Sequence, residues 1–251
     1  MTRVAAVGKA EGILLLRNAM MLLVAVGIPV FTVFTVATST ARTARTGAEL
    51  ITSVTVVGLI LFVYYQLVTA LVARREELVL KRLRTGELSD LEILAGAAAP
   101  SVVIAWAQIL LTTVAAAVWF TLDAPVNLLL VLIAILLGTL VVVLLAAAST
   151  AFAPTVDAAQ LVTAPVMVVA LTFSGLYLPL SGPMEYVGRA LPLTPVVDLL
   201  RLGLSGTTPD GGTVGFAASF THAVPAVLVL LAWVLIGGWA TRRWFRWEPR
   251  R

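Results

Sequence analysis

Six apolar stretches without Lys, Arg, Asp or Glu divide the chain, and each reaches the roughly 20 residues that a helix needs to cross the hydrocarbon core of a bilayer. They cover residues 20–40, 51–73, 97–122, 128–152, 161–180 and 220–241. With 60% hydrophobic and 12% charged residues, the chain has too little polar surface for a water-soluble domain. The sequence therefore predicts a single all-α integral membrane domain over residues 1–251, with six transmembrane helices.

The basic residues predict the orientation of these helices. Thirteen Lys and Arg residues lie before the first stretch, after the second and after the sixth. The other side has four: Arg42, Arg45, Arg189 and Arg201. Because Lys and Arg concentrate in cytoplasmic loops, we expect both termini of this multi-pass cell-membrane protein to be cytoplasmic. The adjacent apolar stretches favour lipid headgroups over nucleic acid as the counter-charge.

The inventory of reactive side chains argues against chemistry in this chain. With no Cys and one His, thiolate and multi-His metal sites are excluded. All thirteen acidic residues lie outside the apolar stretches, which disfavours coupling to an ion gradient, and His222 fits an interfacial or capping role. No Gly-rich phosphate loop occurs. We expect no catalytic residue, metal or cofactor, and any ATP must be bound by another polypeptide.

Two cytoplasmic segments depart from plain connections. Residues 3–18 mix basic and apolar residues, as in a helix lying in the membrane interface, with a charged tail as the alternative. After the second stretch, we expect the helix to continue, with Glu77 meeting Lys81 at i,i+4, until Thr85-Gly86 stops it. Ser89 and Glu92 then form a capping box for the next helix. The alternative to this elbow is a solvated loop.

The outer connection, residues 181–219, predicts a short helix. Thr194-Pro195 provides a start and Gly206 a stop, and the apolar segment between them is too short to cross a bilayer. We expect this helix to lie at the outer interface or to dip into the membrane, with Asp198 and Arg201 interacting at i,i+3.

A polar face follows the second stretch. Its members recur at spacings of three and four, so they share one helix face. They are Thr52, Thr55, Leu59, Phe62, Gln66 and Thr69. The face has two interpretations: packing between helices, or the lining of a substrate path. Matching residues on the fifth stretch are Met167, Thr172, Phe173 and Tyr177.

These segments together resemble the permease subunits of type-2 ABC transporters, in particular daunorubicin-resistance-type bacterial export permeases. The resemblance covers nearly the whole chain in four segments. They are Lys9–Asn18, Arg74–Gly86, Ser174–Pro179 and Leu191–Gly206.

The resemblance implies that two six-span subunits pair, as identical copies or paralogues, and that two ATP-binding subunits carrying ATP and magnesium dock below them. The elbow would contact the ATPase through Thr85, Gly86, Glu87, Leu88, Ser89, Asp90 and Leu91. The second and fifth helices would line the path, with Thr55, Phe62, Gln66, Thr69, Met167, Phe173 and Tyr177 as its candidates. Short outer re-entrant helices would carry Glu185, Asp198 and Arg201.

The leading hypothesis is therefore the permease subunit of an ATP-driven exporter. The short elbow and small outer loop favour an amphiphilic drug-like or lipid-like cargo over a glycan, because little is present to grip a large polar molecule. Two alternatives stay open: a membrane anchoring subunit without a transport path, and a gradient-driven carrier.

Overall fold

A computed structural model describes residues 27, 30, 34, 43–85, 89–120, 122–177 and 182–248. The predicted interfacial helix at residues 3–18 lies outside these residues, as does nearly all of the first apolar stretch. The described residues form helices and their connections, with an isolated antiparallel bridge between Thr207 and Thr213.

The second apolar stretch forms one long helical rod, Ala44–Glu76. It consists of α1 (Ala44–Gly58), a π-helical segment (Leu59–Tyr65) and α2 (Gln66–Glu76). Thr43 caps its start by accepting a hydrogen bond from the Thr46 amide at 3.2 Å. At about 1.5 Å per residue, a rod of this length exceeds the hydrocarbon core of a bilayer and protrudes beyond it.

Three further helices match predicted transmembrane stretches in length and apolar character: α4 (Asp90–Trp119), α5 (Leu128–Ser149, continued by a 3-10 turn to Phe152) and α9 (Phe216–Trp244). The described residues thus contain four helices able to cross a bilayer. Large apolar side chains along α4, α5 and α9 are exposed, as expected for surfaces facing lipid or another subunit.

The fifth stretch differs from the prediction. Its helix, α6 (Val156–Thr172), starts five residues earlier than expected and ends well before residue 180. Ser174 closes its end by donating to the Leu171 carbonyl and accepting from the Leu176 amide, and Gly175 takes the left-handed φ of 71°. With 17 residues, α6 is a short apolar helix rather than one of the four spanning ones.

Short helices complete the architecture. α3 (Val79–Arg84) follows the rod, and α7 (Pro183–Ala190) and α8 (Leu193–Ser205) precede α9. We call the end of the bundle that carries α3 the elbow end. The opposite end, with the connections 122–127 and 206–215, is the loop end.

α8 lies against the loop-end half of α5, and the two run antiparallel. A Cβ atom on Gly203 would lie 2.7 Å from Val131 Cγ2, and one on Gly138 would lie 2.9 Å from Val196 Cγ2. The Asn127 amide donates to the Gly203 carbonyl at 2.8 Å. Gly138 is eleven residues beyond Asn127, so α8 extends roughly 16 Å down the side of α5.

The start of α8 also differs from the prediction. The helix begins at Leu193, and Thr194 does not cap it; its hydroxyl instead donates to the Phe173 carbonyl at the end of α6. The predicted stop is confirmed, because Gly206 caps the helix in the left-handed region at φ 67°.

Candidate functional site

The elbow breaks earlier than the sequence predicts. The rod ends at Glu76, and Leu78 takes the left-handed φ of 59° before α3 begins at Val79. Because the helix is interrupted between Glu77 and Lys81, the expected i,i+4 pair is wrong. The ammonium of Lys81 lies instead 3.1 Å from the Glu248 carboxylate in the C-terminal segment.

The recapped start of α4 is confirmed. The Ser89 hydroxyl accepts from the Glu92 amide at 3.3 Å, and the Glu92 carboxylate accepts from the Ser89 amide at 2.8 Å. Arg84 and Asp90 bring the two sides of the elbow together through a contact of 3.3 Å. Of the predicted ATPase contacts, Thr85, Ser89, Asp90 and Leu91 are therefore placed close together, and Gly86, Glu87 and Leu88 lie outside the described residues.

The exposed surface of the elbow mixes charge with an apolar side chain. Leu91 is 72% exposed although it lies in the first turn of a helix. Lys81, Arg82 and Arg84 are exposed on α3, on the other side of the elbow. The Arg84 guanidinium lies 5.1 Å from the centre of the Trp247 ring, so the C-terminal segment packs against the same elbow.

Two adjacent residues at the elbow end of the rod hold the connection between α5 and α6. The buried Arg75 guanidinium donates to the Thr150 carbonyl at 2.9 Å and to the Ala153 carbonyl, near the negative end of α5. The Glu76 carboxylate accepts from the Val156 amide at 3.3 Å, at the positive end of α6. A displacement of the rod at this end therefore acts on α5 and α6 together.

At the loop end, a cavity of about 440 Å³ opens among charged side chains. We call it the loop-end cavity. Its lining comes from the start of the rod, the turn after α6, helices α7 and α8, and the connection 207–211. The residues that concern its chemistry are Arg45, Glu49, Leu176, Tyr177, Glu185, Arg189, Asp198 and Arg201.

Arg201 holds the cavity wall together, but not through the predicted partner. Its guanidinium donates to both Glu49 carboxylate oxygens, with Nε 3.0 Å from Oε1 and Nη2 2.9 Å from Oε2. Its Nη1 donates to the Gly175 carbonyl at 3.2 Å. The expected interaction with Asp198 is thus replaced by a bidentate ion pair between Arg201 on α8 and Glu49 on the rod.

Asp198 occupies the wall between this cavity and a smaller one of about 240 Å³. Burial raises the pKa of its carboxyl to about 6, although the positive charges of Arg189 and Arg201 act in the opposite direction. Arg189 itself pairs with Glu185 one helical turn away and with Asp210 at 3.2 Å. The loop end therefore brings the predicted residues Glu185, Asp198 and Arg201 into one site.

The predicted substrate face is split between core and surface. Thr55 and Phe62 are buried, and the Thr55 hydroxyl donates to the Ile51 carbonyl of its own helix. Gln66 and Thr69 are half-buried, and the Thr69 hydroxyl donates to the Tyr65 carbonyl. These hydroxyl bonds favour the packing interpretation for the two threonines.

The candidates on the fifth stretch separate in the same way. Met167 is half-buried within α6, which packs against the rod at α2 and the π-helical segment. Phe173 caps the end of α6, and Tyr177 lies beyond it, 60% exposed, in the wall of the loop-end cavity. Tyr177 thus joins the outer residues rather than the α6 face.

Sequence reasoning missed Glu49 and Arg189 at the loop end and the roles of Arg75 and Glu76 at the elbow end. A signal was available for Arg75 and Glu76. A basic side chain can donate to the free carbonyls at the end of another helix, and an acidic one can accept from the free amides at the start of another. Glu49 gave no such signal, because its partner lies 152 residues away.

Comparison with known proteins identifies the family of the chain. A family model described as ABC-2 type transporter matches residues 2–204, about four fifths of the chain. The search of curated proteins gave no significant match. The matched domain is a membrane transport domain that works with ATP-binding cassette subunits, and it is not itself an ATPase. With its apolar helices and its match over most of its length, this chain belongs to the ABC-2 type transporter family as a multi-pass membrane permease.

Proposed function

We propose that this chain is the permease subunit of an ATP-driven exporter that moves an amphiphilic drug-like or lipid-like substrate across the cell membrane. The assembled exporter contains two permease subunits, identical or paralogous, and two ATP-binding subunits that carry ATP and magnesium. The elbow end faces the cytoplasm and the loop end faces outward. The family match supports the transport role and the association with ATP-binding subunits.

The observation that carries the proposal is the construction of the elbow. A solvated connection needs neither a helix break at Leu78 nor a capping box at Ser89, yet both are present. The break and the cap hold α3 and the start of α4 as two ordered helix ends, with exposed basic side chains on α3 and Leu91 exposed at the start of α4. Ordered helix ends that present an apolar side chain within a polar rim fit the anatomy of a protein docking surface.

The rod gives a physical route from this docking surface to the outside. Its elbow end carries Arg75 and Glu76, which hold the α5–α6 connection, and its loop end carries Glu49, which holds α8. A force applied at the elbow therefore reaches both the α5–α6 connection and the wall of the loop-end cavity through the rod. In this account, α7 and α8 are the outer re-entrant helices, and their movement against the rod opens and closes the exit.

The preference for an amphiphilic cargo comes from the size of the loop end. The described connections 122–127 and 206–215 are short, and α7 has only eight residues. They offer no separate domain for holding a folded or highly polar cargo. The exposed apolar faces of α4, α5, α6 and α9 supply contacts for lipid, for the second permease subunit and for an apolar cargo.

Co-purification tests the proposal. The full chain is isolated from its native membrane, and ATP hydrolysis is measured on the proteins that accompany it. We expect an ATPase to co-purify, to be lost with Leu91→Asp and to be kept with the control Val187→Asp, which places the same charge on an exposed residue at the loop end. Absence of an ATPase, or equal recovery with both variants, contradicts the proposal.

A further inference from the structure

The loop-end cavity has an uneven charge balance. Among the described residues, three arginines and three carboxylates line it, and Asp210, which contacts Arg189, adds a fourth carboxylate. Arg45 is exposed at the start of the rod, so water screens its charge. Asp210 is 81% exposed, so water screens its charge as well. Of the remaining described charges in the lining, the three carboxylates of Glu49, Glu185 and Asp198 face two guanidinium groups.

Most of these charges already have partners. Glu49 receives three hydrogen bonds from Arg201, whose remaining contact is the Gly175 carbonyl. Glu185 and Asp210 both accept from Arg189. Within the described part of the chain, Asp198 accepts no hydrogen bond and forms no ion pair, and the two arginines act on it only through space.

Asp198 is also the carboxylate that gains most from a new partner. It lies on α8, five residues before Gly203. The Gly203 carbonyl accepts a hydrogen bond from the amide of Asn127, which is the N-cap of α5. This places the carboxylate roughly 7 Å below the loop end of α5, on the wall shared by the two cavities. A partly buried charge without a partner keeps the cost of desolvation, and a cation that enters the cavity removes part of that cost.

The remaining lining selects the kind of cation. A cavity of about 440 Å³ is in the range of small-molecule sites, far larger than a metal ion needs. Tyr177 and Leu176 provide an aromatic ring and an aliphatic side chain in the same wall, and aromatic rings attract ammonium groups. The described residues hold no group of three metal-ligating side chains at this site.

We propose that the loop-end cavity binds the ammonium group of an organic cation, with the Asp198 carboxylate as counter-ion and Tyr177 and Leu176 as the apolar wall. The inference deepens the proposed function, because it gives the exported amphiphile a positive charge. Binding to the permease needs no ATPase, so the two proposals fail in different experiments.

Binding should weaken in acid. The charged groups that face Asp198 are Arg189 and Glu185 on α7, Arg201 on its own helix and Asp210 in the following connection. The imidazole of His222 on α9 lines the smaller cavity with it. Protonation of Asp198 removes the counter-ion, and its raised pKa of about 6 places this loss just below neutral pH. A His222→Gln background removes the imidazole that faces the smaller cavity, so the pH dependence there reports on Asp198.

The test is a titration of the full chain, in nanodiscs of a zwitterionic lipid, with benzyltrimethylammonium followed by calorimetry. We expect saturable binding at pH 7.5, at least tenfold weaker binding for Asp198→Asn, and unchanged binding for Asp123→Asn. The control removes an exposed carboxylate at the same end of the bundle. In the His222→Gln background, binding should weaken from pH 7.5 to pH 5.

Benzenesulfonate serves as the anion of similar size. The proposal is overturned if the Asp198→Asn variant binds benzyltrimethylammonium as well as the unaltered chain does. It is equally overturned if benzenesulfonate binds more tightly than the cation, because the arginines would then determine the ligand. The Asp198→Asn variant is expected to fold, since it relieves a desolvated charge, and thermal unfolding of each variant verifies this.

Discussion

The Arg201 guanidinium donates hydrogen bonds from two nitrogens to the Glu49 carboxylate, at 2.9–3.2 Å, and so joins α8 to the start of the rod. Both side chains are partly buried, with 26% and 37% of their surfaces exposed. Removing one partner leaves the other charge poorly solvated and without its main contact. This pair therefore stabilises the packing of α8 against the rod in the loop-end wall.

Neutralising either partner should destabilise the protein. We expect Glu49→Gln and Arg201→Gln each to lower the free energy of unfolding by about 1–2 kcal/mol, a value reduced for the partial exposure of the pair. The double variant should cost less than the sum of the two, because neither charge is then left alone. Denaturant unfolding in mixed micelles measures this. Glu248→Gln, from an exposed pair, should change stability by less than about 0.5 kcal/mol, and an equal loss there would contradict the account.

Asp198 makes stability depend on pH in the opposite sense to a salt-bridged carboxylate. Because its pKa is raised from 3.8 to about 6, the folded state binds a proton more tightly than the unfolded state. The stabilisation is present below pH 4 and is lost as pH rises through about 6. Asp198→Asn should therefore raise the unfolding free energy at pH 7.5 by about 1–3 kcal/mol and flatten its change between pH 4 and 6. A variant less stable than the unaltered chain at pH 7.5 would show this assignment to be wrong.

The close approach of α8 to α5 should make Gly203 sensitive to a single methyl group. A Cβ atom there would lie 2.7 Å from Val131 Cγ2 and 2.9 Å from the Asn127 carbonyl oxygen, so α8 must move outward. We expect Gly203→Ala to cost about 1–3 kcal/mol of unfolding free energy. Gly238→Ala in α9 is the matched control, because nothing lies within 4 Å of its Cβ position. Equal stabilities for the two variants would contradict this packing.

Replacing Leu78 by Gly and by Val should give the reverse order of stability from the same two replacements at a leucine within a helix. At φ 59°, glycine is unstrained and a β-branched residue is strained, so Leu78→Gly should be more stable than Leu78→Val by about 1–2 kcal/mol. At the exposed helical residue Leu91, the Val variant should be the more stable one, because glycine is a poor helix former. Unfolding of the four variants tests the reversal, and the same order at both positions would rule out the break at Leu78.

Local rules predicted the elements whose cause is local. The capping box at Ser89 and the stop at Gly206 depend on residues within a few positions, so the sequence contains the whole interaction. The four long apolar helices follow from length and hydropathy in the same way. The break at Leu78 could not be predicted, because leucine has no preference for the left-handed region and the sequence gives no glycine or asparagine there to indicate it.

The charged contacts at the loop end depend on how distant helices pack. The i,i+3 spacing suggested Asp198 as the partner of Arg201, but Glu49 reaches the same guanidinium from 152 residues away. The end of α6 was misjudged for a related reason. Apolar composition continues past Thr172, while the bonds made by Ser174 and Thr194 turn the chain. Hydropathy reports solubility in lipid and does not report such polar closures.

The central claim, that the elbow is the docking surface for an ATP-binding subunit, is tested most directly by site-specific crosslinking. The chain contains no cysteine, so Leu91→Cys and Val187→Cys each introduce a unique thiol, at the elbow end and the loop end. A thiol-directed photocrosslinker is activated in native membranes, and the products are identified by mass spectrometry. We predict that position 91 captures an ATP-binding subunit and that position 187 does not. Capture at neither position, or at both equally, would contradict the account.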